Sequence, residues 1–260
     1  MTILTAEHIE KSYSERPLLH DVSFGVEEGE KIGIIGVNGT GKSTLLKIIA
    51  GVEEPDQGFV TKAGGIQVGY LPQNPEFPEG TTVLQQVKAG AALTQQESQE
   101  YEYKAILKKL GIDNFDAPIN TLSGGQKKRV AMAAALASQS QLLILDEPTN
   151  HIDSSMVQWL EDYLARYKGA LLMVTHDRYF LDRVTTRLLE IDRGQLYQYE
   201  GNYARYLELK SQREEMAQAT ERKRQSLLKK ELAWIQRGAR ARGTKAQFRV
   251  DRFHELSQQQ

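Results

Sequence analysis

The 260-residue chain contains no cysteine. That excludes disulfides, thiolate metal sites and a cysteine nucleophile, and it fits a reducing compartment. No stretch approaches the roughly 20 consecutive apolar residues that a membrane-spanning helix needs. The N-terminus, MTILTAEHIEKSY, lacks the basic patch and apolar run of a secretory signal. The expectation is a soluble, cytoplasmic protein. Proline is scarce, with 7 residues, and neither proline nor glycine falls between Tyr203 and Gln236. Net charge is nearly absent too, at −1, but only because two parts cancel. Tyr203–Gln260 carries 14 Lys+Arg against 7 Asp+Glu, whereas Met1–Asn202 carries 19 against 27. An acidic body with a basic tail points either to a polyanionic partner or to a solvated charged helix.

What the chain does have is alternation. Its length suits one α/β domain plus an appendage, or two small domains. Short apolar runs at Lys31–Gly36, Ile66–Leu71, Gln141–Leu145 and Ala170–Thr175 predict buried strands. Helical periods fill the gaps at Gly41–Ala50, Thr82–Ala89, Tyr101–Leu110, Gly125–Ala137 and Ser154–Tyr167. Strand–helix alternation predicts a mainly parallel sheet with helices on its faces. The first 30 residues instead alternate apolar and polar positions, as a half-exposed antiparallel sheet does. Beyond Gly201 the texture changes. Tyr203–Gln236 reads as one long helix, Arg237–Gly243 as a turn and Thr244–Ser257 as a second helix. The resulting division is a body over 1–200, with a small helical portion at about 81–138, and a basic helical hairpin over 201–260.

Two motifs carry chemistry. Gly36-Val-Asn-Gly-Thr-Gly-Lys-Ser43 matches G-x-x-x-x-G-K-S/T at every fixed position, between a predicted strand and a predicted helix. Glycines at 36, 39 and 41 let backbone N–H groups close around phosphates, and the helix N-terminus adds favourable partial charge. Asn38 and Thr40 complete the loop and Thr44 follows it. Lys42 can reach the β- and γ-phosphates of ATP, and the Ser43 hydroxyl can ligate Mg²⁺. The second motif, Leu142-Leu-Ile-Leu-Asp-Glu147, is an apolar strand ending in two carboxylates. Asp146 can hold Mg²⁺, directly or through water, and Glu147 can polarise an attacking water.

Further residues narrow the family. Leu122-Ser-Gly-Gly-Gln126 resembles the LSGGQ signature of ABC ATPases, a branch of the P-loop NTPases, and it precedes the Asp-Glu pair as it does there. Gln73 looks like that family's Q-loop glutamine, His176 in Val174-Thr-His-Asp177 like its switch histidine, and Tyr13 like its adenine-stacking aromatic. The resemblance implies a head-to-tail pair of cassettes. Ser123, Gly124, Gly125 and Gln126 would contact ATP held by a partner cassette. His176 would contact the γ-phosphate in its own, and Gln73 would sense Mg²⁺ and the water.

Within that family, Asp146-Glu-Pro-Thr-Asn-His-Ile-Asp153 and Asp177-Arg-Tyr-Phe-Leu181 resemble the ABC-F branch, soluble translation factors acting at the ribosome. The tail resembles the basic hairpin that links two cassettes in that branch and contacts ribosomal RNA and tRNA. Its stretch Glu231–Lys245 is most similar to the Uup-type members. Between Arg222 and Arg252 there are 11 basic and 2 acidic residues, which suits phosphate neutralisation. Trp234 and Phe248 could stack on bases or pack the hairpin. Two departures accompany the resemblance. The motifs occur once, so the expectation is a first cassette plus linker needing a second cassette, from a homodimer or a separate chain. Thr81–Thr121 is also short for a branch whose members often carry an added arm there. An ATP-binding transporter subunit, or a truncated cassette that binds ATP and RNA without turnover, are the alternatives.

Overall fold

The computed structural model describes residues 1–13, 17–91 and 100–236, without the side chains of 91 and 231–236. The expected turn at Arg237–Gly243, the second tail helix, Phe248 and the side chain of Trp234 lie outside that description.

Alternation in the first 27 residues has the expected outcome. β1 (Thr2–Ser12) and β2 (Pro17–Glu27) pair antiparallel, burying Leu4, Ala6 and Ile9 from one and Leu19, Val22, Phe24 and Val26 from the other. The pattern slips at His8, which is left-handed at φ 51°, and the pairing register shifts between Ala6 and Ile9. After β3 (Lys31–Ile35) and α1 (Lys42–Ala50), β4 (Gln57–Lys62) returns to the free side of β1 and makes a three-stranded sheet.

The remaining strands build a second sheet. They are β5 (Val68–Leu71), β6 (Leu142–Asp146), β7 (Ala170–Val174), β8 (Arg187–Asp192) and β9 (Gln195–Glu200). The order is β5-β6-β7-β3-β8-β9, parallel except for the β8–β9 edge. Every residue of β3, β6 and β7 is buried, which is why these strands read as continuous apolar runs rather than alternations. α1 packs Leu45, Leu46, Ile48 and Ile49 into the core between the two sheets.

Between β5 and β6 lie α2 (Val83–Ala91), α3 (Glu100–Lys109), a 3₁₀ turn (Ile119–Thr121) and α4 (Gly124–Ala137). α2 rests on α4 through small residues. A Cβ on Gly90 would lie 3.0 Å from that of Ala134. α4 buries every residue from Val130 to Ala137, so its apolar content is not confined to one face. α5 (Ser154–Arg166) and α6 (Arg178–Val184) flank β7, each capped by an aspartate, Asp153 and Asp177. Among the described residues, the predicted strands and helices recur within two residues of their expected ends. β4, α6, β8 and β9 carry no such expectation. α6 is only 7 residues long, and β8 buries the charged Arg187 and Glu190 among Leu188, Leu189 and Ile191.

The chain divides into two units, Met1–Tyr206 and Leu207–Gln260. α7 (Tyr203–Gln236) is the continuous 34-residue helix expected from the missing proline and glycine. Its first turn is well anchored. Asn202 accepts a hydrogen bond from Arg205 N at 3.1 Å, and Asp182 accepts one from Ala204 N at 3.0 Å. Buried Glu190 accepts hydrogen bonds from the hydroxyls of Tyr206, at 2.9 Å, and Tyr199, at 3.0 Å. Farther along, the helix is mostly exposed and carries local pairs such as Glu221–Arg224 at 2.7 Å. No helix among the described residues is long and apolar enough to cross a membrane.

Candidate functional site

The parallel strands end on one side of the sheet, and a cavity of about 460 Å³ opens there. It brings together ten of the residues expected from sequence. The loop between β3 and α1 contributes Asn38, Gly39, Gly41, Lys42, Ser43 and Thr44, and Tyr13, Gln73, Glu147 and His176 come from four other segments.

The loop geometry depends on glycine at two positions. A Cβ on Gly36, φ 151°, would lie 2.6 Å from the carbonyl oxygen of Ile191 and 2.9 Å from Thr40 Oγ1. Gly41, φ 96°, caps α1 without any side-chain hydrogen bond, and a Cβ there would lie 2.9 Å from Leu18 Cγ. The first turn of α1 is therefore left with backbone donors for an anion. Lys42 is nearly buried. Its ammonium donates to the carbonyls of Gly36 at 2.8 Å and Val37 at 3.0 Å, folding back along the loop. Burial lowers its pKa, while Glu147 and Asp146 pull the other way.

The carboxylates lie at the end of β6. Asp146 is fully buried and does not line the cavity. Burial raises its pKa. The Ser43 hydroxyl is close enough to oppose that shift, as do Lys128, Lys47 and Lys42, yet neither carboxylate oxygen completes a hydrogen bond among the described residues. Glu147 is 4% exposed and left-handed, φ 53°, an uncommon conformation for glutamate of the kind that clusters at active sites. Its N–H donates to Val174 O at 2.8 Å, tying it to the end of β7. Its Oε1 lies 3.2 Å from His176 Nε2, whereas Oε2 has no partner among the described residues. Burial raises the Glu147 pKa, and His176 pulls it back.

Buried anionic oxygens without donors are costly unless something cationic completes them. Asp146 and Glu147, with Ser43 beside them, therefore suit a hydrated Mg²⁺, and the loop suits the phosphates that accompany it. The opposite rim is aromatic. Tyr13 is 65% exposed, with its hydroxyl donating to Glu53 and Lys11 Nζ 5.7 Å from its ring centroid. That leaves an open ring face for a base.

The signature residues lie elsewhere. Ser123, Gly124, Gly125 and Gln126 do not line the cavity. They start α4, with Ser123 and Gly124 exposed. A capping box closes this start: Ser123 Oγ accepts from Gln126 N at 3.3 Å, and Gln126 Oε1 accepts from Ser123 N at 2.9 Å. Gly125 faces His151, itself left-handed at φ 68°.

Sequence reasoning passed over several supports. Thr149 and Thr175 join hydroxyls at 2.8 Å, fastening the segment after Glu147 to the one bearing His176. Both stand inside runs already singled out, so their signal was present. Lys128 on α4 is 4% exposed, with its pKa lowered by burial and raised by Asp146 and Glu147. Nothing in the local sequence distinguishes it from the half-buried Lys127 beside it.

Comparison with known proteins accords with this geometry. Residues 19–150 and 189–260 each match a family described as ABC transporter. The uncharacterized ABC transporter ATP-binding protein YfmR of Bacillus subtilis is 46% identical, over all of this chain and 47% of its own length. That match runs over 296 positions although this chain has 260, so YfmR carries residues with no counterpart here. The energy-dependent translational throttle protein EttA of Mycobacterium tuberculosis is 38% identical over 98% of this chain and 52% of its own. EttA of Escherichia coli is 34% identical, over 94% and 51%. The chain thus spans about half the length of the curated relatives it matches. Among solved structures, the ATP-binding subunit of an ABC transporter superposes with a TM-score of 0.68 at 25% identity, covering 76% of this chain and 90% of that one. A dimeric bacterial ABC transporter cassette gives 0.64 at 25% identity, covering 76% and 98%. With the phosphate loop, the paired carboxylates and the signature helix all in place, the chain belongs to the ABC transporter family as an ATP-binding cassette.

Proposed function

We propose that this cassette hydrolyses ATP to ADP and phosphate and works in translation, as an ABC-F factor with a Uup-type linker acting on ribosome-bound tRNA or ribosomal RNA. The hydrolytic part rests on one observation above all: Lys42, Ser43, Gln73, Glu147 and His176 share a single cavity. The translational part rests on the kinship with proteins named translational throttles and on the basic tail.

Tyr13 stacks on the adenine, and Gly36 through Thr44 surround the phosphates with backbone donors and the Lys42 charge. Ser43 and Asp146 would hold Mg²⁺, with Gln73 at the rim, and the bound ion would neutralise phosphate charge. Glu147 takes a proton from the attacking water as its oxygen bonds to the γ-phosphorus. The bond from that phosphorus to the β–γ bridging oxygen breaks, and ADP departs. His176 orients Glu147 and reaches the γ-phosphate. The signature does not line this chain's own cavity, so a second cassette, identical or on a separate chain, completes each site with Ser123–Gln126. Completion only on closure couples nucleotide binding to a change of shape. Residues 1–200 act as the cassette, with the helical portion at about 81–138, and 201–260 form the RNA-contacting linker, its basic stretch at 222–252.

The test is Glu147→Gln, which retains ATP and stalls the cycle. Co-sedimentation with 70S ribosomes in ATP should rise well above that of the unmutated chain. Equal association of both proteins, with and without ATP, would refute the translational part. Copurification with a membrane permease would favour a transporter subunit instead.

A further inference from the structure

A second cavity, of about 550 Å³, lies at the other end of the same strands, where β6 and β7 begin. β6 is five residues long, so about 16 Å of strand separates the two ends. Trp159, Tyr163 and Tyr167 line it. They are spaced i, i+4, i+8, so they form one stripe along α5 and its C-terminal cap.

This stripe is more than a packing face. All three residues stay partly exposed. Neighbouring rings lie 5.5 and 6.4 Å apart between centroids, the second pair nearly parallel at 24°. The rings are held from behind. Tyr163 donates to Leu136 O at 3.1 Å and Tyr167 to Ser140 O. Buried Lys31 donates to the carbonyls of Tyr167 and Gly169, both at 2.6 Å, with its ammonium 4.8 Å from the Tyr167 ring centroid. The inward hydrogen bonds engage the tyrosine hydroxyls, and the three rings line the cavity. The Trp159 indole N–H has no acceptor among the described residues. Arg166, Lys168 and Asp162 also line the space and make no ion pair among the described residues.

Aromatic rings held in place, with cations beside them, are the chemistry that receives an unpaired nucleobase and its phosphates. We propose that this cavity binds one base of a single-stranded RNA segment. The base stacks on the Trp159–Tyr163–Tyr167 stripe, its flanking phosphates meet Arg166 and Lys168, and Asp162 accepts a hydrogen bond from a sugar hydroxyl. The inference does not rest on RNA binding by the tail, and neither outcome at one surface decides the other.

The chain has two tryptophans, Trp159 and Trp234. In a Trp234→Phe full-length chain, Trp159 alone reports on the cavity. Titration with an unstructured RNA octamer should quench its emission saturably. Tyr163→Ala should weaken that response about tenfold. Because Tyr163 also braces α4, Lys168→Glu on the surface is the second variant, expected to weaken it several-fold and to flatten its salt dependence. Octamer binding seen by fluorescence polarisation with no change at Trp159 would overturn the proposal. So would equal quenching by inorganic polyphosphate or by a fully paired RNA duplex.

Discussion

Two helices in this chain begin on small residues beside functional motifs, and they begin in opposite ways. α1 starts from left-handed Gly41 with no side-chain cap, so its first-turn donors are open. α4 starts from Ser123 in extended conformation, with Ser123 and Gln126 satisfying one another's backbone. The first has the uncapped geometry that suits an anion. In the second, the Gln126 N–H is already taken by the Ser123 hydroxyl, while the Gly124 and Gly125 N–H groups take no part in the capping box. Both are glycine-rich helix starts in sequence, yet one has a side-chain cap and the other none.

The largest expected effect lies on the catalytic side of α1. Glu147→Gln should lower steady-state hydrolysis by about 10²–10⁴-fold, the range for loss of a general base, while nucleotide binding persists by equilibrium dialysis. Lys42→Ala removes a charged donor worth about 1.5–3 kcal/mol, so ATP affinity should fall roughly 10- to 150-fold by calorimetry. Tyr13→Ala should cost about 1–3 kcal/mol of base stacking, visible as weaker binding of ATP with little change for inorganic triphosphate. Ser123→Ala tests the other helix. It should leave ATP affinity of the isolated chain unchanged but remove about 1 kcal/mol of capping, lowering Tm by about 2–4 °C in calorimetry. A drop in single-chain ATP affinity with Ser123→Ala would erase the contrast between the two starts.

Much of this was legible in the chain. The phosphate loop, the carboxylate pair and the long helix fell where spacing put them, because each is encoded locally: glycines where φ is positive, apolar residues where both sheet faces are covered, no breaker for 34 residues. What escaped depends on distant parts of the chain. Glu190 reads as a solvated acid, but Tyr199 and Tyr206 make it a buried acceptor. Lys128 reads like Lys127 beside it, and only the packing of α4 hides it. Trp159, Tyr163 and Tyr167 read as the apolar face of an amphipathic helix. That the Tyr167 ring packs closely on Gly169, where a Cβ would lie 2.8 Å from its Cε1, is reported by no periodicity.

The anchored first turn of α7 bears on how that helix persists at all. A 34-residue helix is about 51 Å long, and one exposed along most of its length gains little from burial. Its stability is then set by nucleation, which costs most at the first turn. Tyr206 sunk beside Glu190, with Asn202 and Asp182 holding the opening N–H groups, provides that nucleus at one end. Coil should enter from the far end and travel back. Amide exchange along the helix would then rise in a smooth gradient from Tyr206 toward Gln236, so that the same residues fix where the helix starts and how far it stays wound.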